Sequence, residues 1–166
     1  RLGLAPKPAP APPPAPAATD DAPALGADVG AQGAAQAYAA AKDLNSAINT
    51  LQEIIEDEPR VASALAQYQE DAGQLMEAAA SYTLALAVQP ANRELKIRRI
   101  AVLMEAKEYG RAAGFAGDAR KQHPNEPVFP RLQGRALFDS GDRSGGISVL
   151  ESAVKSFPKD TATIFA

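Results

Sequence analysis

Four prolines in the body of this chain, Pro59, Pro90, Pro124 and Pro158, stand 31, 34 and 34 residues apart, and each follows a segment of helical periodicity. Proline lacks the amide hydrogen and its ring crowds the preceding turn, so each one closes the helix before it. Recurrence at this interval predicts a short helical unit used repeatedly. Counted back from the prolines, the other positions keep step. Ala47, Ala78, Ala112 and Gly146 form one column, and Ile54, Ala85, Ala119 and Ala153 a second. Leu51, Tyr82 and Leu150 form a third, broken by Ala116. Because every column inside the helices holds its phase, the shorter first interval implies that three residues are missing from the loop at Pro59.

The pattern resembles the tetratricopeptide repeat, whose signature places a large residue, then Leu-Gly and Tyr on a first helix, then Ala, an aromatic and a final Pro on and after a second. Unit two matches best, with Leu65, Ala66, Gln69, Gly73, Ala78, Tyr82, Ala85 and Pro90. Unit four reads Gln133, Gly134, Leu137, Gly141, Gly146, Leu150, Ala153 and Pro158, and unit one is alanine-rich around Tyr38, Ala47, Leu51 and Ile54. Unit three departs most, carrying Arg99 and Ile100 where the family has Leu and a small residue, and Lys107 at the turn glycine. The resemblance implies an all-α fold, a right-handed superhelical solenoid of antiparallel helix pairs near 28–59, 60–92, 93–126 and 127–158. Residues 159–166 read as the start of a further helix, and the chain is expected to be a fragment of a longer repeat protein.

Within a unit, a small side chain at the helix crossing lets two backbones approach closely, the role expected of Ala78, Ala112 and Gly146. Polar or glycine pairs mark the turns: Lys42-Asp43, Gly73-Gln74, Lys107-Glu108 and Gly141-Asp142. Asp43 and Asp142 are placed to cap second helices, and Asn92 and Asn125 first helices. One hairpin cannot bury its apolar stripe alone, so units must stack, and the stack curves to give a concave face. By resemblance that face is lined by first-helix residues: Gln67 and Glu70 from unit two, Arg98 and Met104 from unit three, and Arg131, Arg135 and Phe138 from unit four. The expected ligand is a protein or peptide. If Arg98, Arg131 and Arg135 converge, it is an acidic one, since guanidinium pairs with carboxylate. Against convergence, Glu94 lies four residues before Arg98 and Asp139 four after Arg135, the spacing of solvated pairs along one helix. The Lys, Asn and Arg set with which one subgroup of the family grips chaperone C-termini is absent: the corresponding positions hold Gln32, Gly33, Gln36, Ser63, Ala64 and Gln67.

Composition removes most chemistry. With no Cys and a single His, His123, neither a thiolate nor a multi-histidine metal site can be built. No Gly-x-Ser-x-Gly occurs, and the glycine-rich stretches at 114–117 and 145–146 lack the Lys and preceding strand of a phosphate loop. Glu56-Asp57-Glu58 lacks the alternation of a calcium loop. A net charge of −3 and the lack of interleaved aromatic and basic residues argue against nucleic acid as a partner. The expectation is a non-enzymatic scaffold without a cofactor. The alternative is a structural array whose ends stack on other repeats or on a second copy, a layout that in bacteria often belongs to envelope assembly factors. No apolar run is long enough to cross a bilayer. Residues 1–26, with eight of the fourteen prolines, read as an extended linker, and the compartment stays open.

Overall fold

The computed structural model describes residues 27–40 and 42–160. The proposed linker at 1–26 and most of the further helix expected at 159–166 therefore lie outside the described residues. Among the described residues eight α-helices follow one another in antiparallel order: α1 (Ala27–Ala40), α2 (Leu44–Gln52), α3 (Ala62–Asp71), α4 (Leu75–Val88), α5 (Arg93–Glu105), α6 (Tyr109–Gln122), α7 (Val128–Asp139) and α8 (Arg143–Ser156). A short 3-10 helix at Pro59–Val61 precedes α3, and the described residues contain no strand. Each helix packs chiefly on its neighbours in sequence, which is the contact pattern of a solenoid.

The turn inside every pair is the same device. Lys42, Gly73, Lys107 and Gly141 hold φ of 62°, 74°, 61° and 101°, the left-handed conformation that ends a helix. Beyond them the amides of Asp43, Gln74 and Glu108 bond back to the carbonyls of Tyr38, Gln69 and Leu103, each at 2.8 Å. Lys107 does what glycine does at Gly73, at the steric cost of a Cβ in that region. Asp43 then caps α2 through Ser46 N (3.1 Å) and Asp142 caps α8 through Gly145 N (2.9 Å). These bonds from Ser46 hold the Asp43 carboxyl below the usual aspartate range.

First helices begin less uniformly. Asn92 accepts from Leu95 N at 3.2 Å and caps α5. Asn125 caps nothing: Pro127 occupies the N-cap of α7, and no side chain bonds there. The expectation for Asn125 fails because a proline two residues on displaces the helix start. Removing the one side-chain cap of α5 by Asn92→Ala should cost about 1 kcal/mol in urea unfolding, whereas Asn125→Ala should leave the midpoint unchanged.

Pro59 explains the short first interval. The residues before the four prolines, Glu58, Gln89, His123 and Phe157, share a backbone conformation (φ −126° to −128°, ψ 63° to 74°). The amide of each bonds to the carbonyl four residues back, at Ile54, Ala85, Ala119 and Ala153. Unlike its counterparts, Pro59 does not close an α-helix, since α2 already ends at Gln52 and residues 53–57 form turns; it stands instead at the first position of the 3-10 helix that opens unit two. Proline suits that first position, because the amide hydrogen it lacks would have no partner there. The loop of three residues found elsewhere is gone.

The core runs through the helix crossings. Ala47, Ala78 and Ala112 are fully buried, and Gly146 takes the same place in unit four. One apolar cluster joins Ala35, Ile48, Leu51 and Leu65 of α1–α3, and a larger one runs from Ala62 to Ala136 with Tyr82, Ile100, Leu103 and Phe129 at its centre.

Candidate functional site

The first helices α5 and α7 face one another across a cavity of about 360 Å³. Its apolar wall is Ala101 and Met104 of α5, Leu132 of α7 and Tyr109 at the start of α6, and its charged rim is Glu105, Arg135 and Asp139. Heptad arithmetic explains the α5 side: residues 101, 104, 105 and 98 fall on one face, while Leu103 and Ile100 turn into the core. A smaller cavity of about 140 Å³ lies between α1 and α3, with Gln32, Gln36, Ser63 and Ala64 among its walls.

The residues expected to line the groove are distributed as follows. Met104 and Arg135 meet in the larger cavity. Gln67 is exposed on α3, outside both cavities. Phe138 is 42 % exposed at the end of α7, with the Arg143 guanidinium 5.5 Å from its ring centre. Glu70 is held rather than offered: Tyr82 donates to it from α4 at 2.7 Å and Arg98 from α5 at 3.3 Å. One carboxylate therefore ties three helices and bridges units two and three. Burial, then the bond to Glu70 and its charge, push the Tyr82 phenol well above the usual tyrosine range, while the Glu70 charge raises the Arg98 guanidinium above its own.

The three arginines expected to meet a ligand carboxylate are each paired within the chain. Arg98 pairs with Glu70 and, at 3.4 Å, with Glu94; Arg131 pairs with Asp160 at 3.8 Å; Arg135 pairs with Asp139 at 3.7 Å. Each already has a carboxylate of the chain, and no two of the three arginines share one. Two of these contacts are the i, i+4 pairs that the sequence spacing allows. Tyr109 joins the groove although, at the start of a second helix, its place in the sequence marks it only as a packing position of the unit.

Among the described residues no group of His, Asp and Glu is placed to hold a metal ion, and no helix is long and apolar enough to cross a membrane.

Comparison with known proteins agrees with this architecture. A family model described as tetratricopeptide repeat matches residues 33–60. No curated protein sequence matches the chain significantly. Among solved structures, MamA (residue 41 to the end) from Desulfovibrio magneticus is similar at 18% identity and a TM-score of 0.61, over 80% of this chain and 77% of that one. A tetratricopeptide repeat protein from Parabacteroides merdae has a TM-score of 0.64 at 18% identity, over 81% of this chain and 55% of that one. YrrB, titled a TPR protein with an unusual peptide-binding site, reaches 0.65 at 13% identity, over 84% and 73%. At such identities the likeness is one of fold. With paired helices turning at four equivalent left-handed residues and small side chains at the crossings, the chain has the fold of tetratricopeptide-repeat proteins, and its residues 33–60 match that family's own model.

Proposed function

We propose that the chain is a protein-interaction scaffold that takes an apolar side chain of a peptide or partner protein into the cavity between α5 and α7. The observation that carries this reading is the cavity itself: about 360 Å³, walled by Ala101, Met104, Leu132 and Tyr109, with charges confined to its rim. An apolar floor inside a polar rim is the layout of an anchoring pocket for a peptide side chain. YrrB, with a fold like this one, is titled for a peptide-binding site. Glu105 and Asp139 outnumber Arg135 at the rim, so a basic residue beside the ligand's apolar anchor is favoured over an acidic one. No catalytic group contributes to this reading.

Peptides selected for binding from a random display library should bind the whole chain and lose about tenfold or more in affinity to the double variant Met104→Glu, Leu132→Glu. Their amide shifts should fall on α5 and α7. Equal binding by the variant, with unchanged circular dichroism, would overturn the proposal.

A second reading, stacking of the array on further repeats or another copy, has one observation behind it. Ile147 on α8 is 49% exposed, while its equivalents Ala79 and Ala113 are 3% and 4% exposed under the next first helix. Concentration-dependent self-association abolished by Ile147→Glu would favour that reading.

A further inference from the structure

The departures of unit three from the repeat pattern gather around one place. Lys96 stands where unit two has the fully buried Ala62 and unit four the buried Pro130. Arg99 stands where unit two has Leu65, 2% exposed, and Phe115 where it has Ser81. Lys96, Arg99 and Phe115, with Ala119, Gln122 and Asp118, line a cavity of about 180 Å³ between α5 and α6. At 100° per residue this is the opposite face of α5 from Ala101 and Glu105, so the cavity is independent of the proposed peptide site.

Its charges are under-compensated. Lys96 is only 7% exposed, and its Nζ meets Gln122 Oε1 at 2.5 Å and His123 Nε2 at 2.9 Å, neither of which carries a negative charge. The Arg99 guanidinium lies over the Phe115 ring, 3.7 Å from its centre. Among the described residues the Arg99 side chain makes no hydrogen bond and no ion pair, and its Nε is buried without a partner. Loss of hydration lowers the proton affinity of both groups, for Lys96 with the Arg99 charge adding to it; the Asp118 carboxylate partly opposes this at Arg99. Asp118 is itself exposed and takes Lys121 at 3.1 Å. Two dehydrated cations side by side are costly in an apo cavity, and an anion between them removes that cost.

We infer that this cavity is a carboxylate-binding site, in which Lys96 and Arg99 hold the carboxylate and Phe115 and Ala119 pack against a short aliphatic stem. The volume exceeds that of the acid group alone, and the apolar walls suit methylenes. Asp118 at the edge disfavours a dianion such as phosphate. The carboxylate can come from a Glu or Asp side chain of a bound peptide or from a free aliphatic acid.

The test is a titration of the whole chain with sodium butyrate against sodium chloride at equal ionic strength, followed by amide chemical shifts and by thermal melting. Butyrate should raise the midpoint saturably and shift amides within 96–99 and 115–123. Arg99→Leu and Lys96→Ala, which install the residues used by unit two, should melt at or above the parent without butyrate and bind it about tenfold more weakly or worse. Competition by acetyl-Ala-Glu-Ala-amide, but not by its Gln counterpart, supports a peptide-borne acid; butyrate binding without that competition supports a free acid. No saturable effect beyond chloride, full binding by both variants, or inorganic phosphate binding more tightly than butyrate would each overturn the inference.

Discussion

Replacing Phe129 by alanine is expected to cost about 3–5 kcal/mol of stability, the largest effect of any single truncation considered in this chain. The ring is fully buried, where Val61 and Leu95 stand in the two preceding units. It lies in the cluster that joins α6 to α7, with its centroid 5.2 Å from that of His123, the residue that closes α6. Alanine leaves a void walled by two units at once, and a repeat array has few other long-range contacts with which to close it. Urea unfolding followed by circular dichroism should show the midpoint falling, with α7 and α8 losing amide protection before α3 and α4. A loss below about 1 kcal/mol would mean that the helices collapse onto the gap.

Adding one methyl group at Gly146 should be almost as harmful. A Cβ there would stand 2.6 Å from the Gly134 carbonyl oxygen and 2.9 Å from the Phe138 amide nitrogen, both backbone atoms of the sister helix α7. Backbone cannot rotate aside as a side chain can, so the two helices must separate, and Gly146→Ala is expected to destabilise by about 1–3 kcal/mol. The same change at Gly114 on the exposed side of α6, where a Cβ would meet nothing within 4 Å, should stabilise by about 0.5–1 kcal/mol through helix propensity. Opposite signs for one substitution in two equivalent helices would identify the crossing; equal signs would show that helix propensity, not contact, governs both.

What could be read from the sequence was what repeats. Ala78, Ala112 and Gly146 are at the crossings because close approach demands a small residue once per unit, and such a demand leaves a column. The loss of three residues at Pro59 was legible for the same reason. Along one helix, the Arg135–Asp139 and Arg98–Glu94 pairs follow from spacing alone. Contacts between helices were not legible. The Glu70 bonds to Tyr82 and Arg98 span 12 and 28 residues, and the Lys96 contact with His123 spans 27. Each depends on how two helices are set against one another, within a unit for Glu70–Tyr82 and Lys96–His123 and between units for Glu70–Arg98, and no column records that setting. Unit three was marked as aberrant at Arg99, but only the structure shows that its odd residues share one cavity.

The merged corner at Pro59 also governs how the array can move. Units two and three, and three and four, are joined by elbows at 90–92 and 124–127, where a few residues outside the helices can absorb a change of angle. Between units one and two Pro59 leads straight into the 3-10 helix, and the residues outside the helices lie before it instead, at 53–58. A change of curvature around a partner can therefore be absorbed at all three joints, at the first of them through the unwound end of α2 rather than through a loop after the proline.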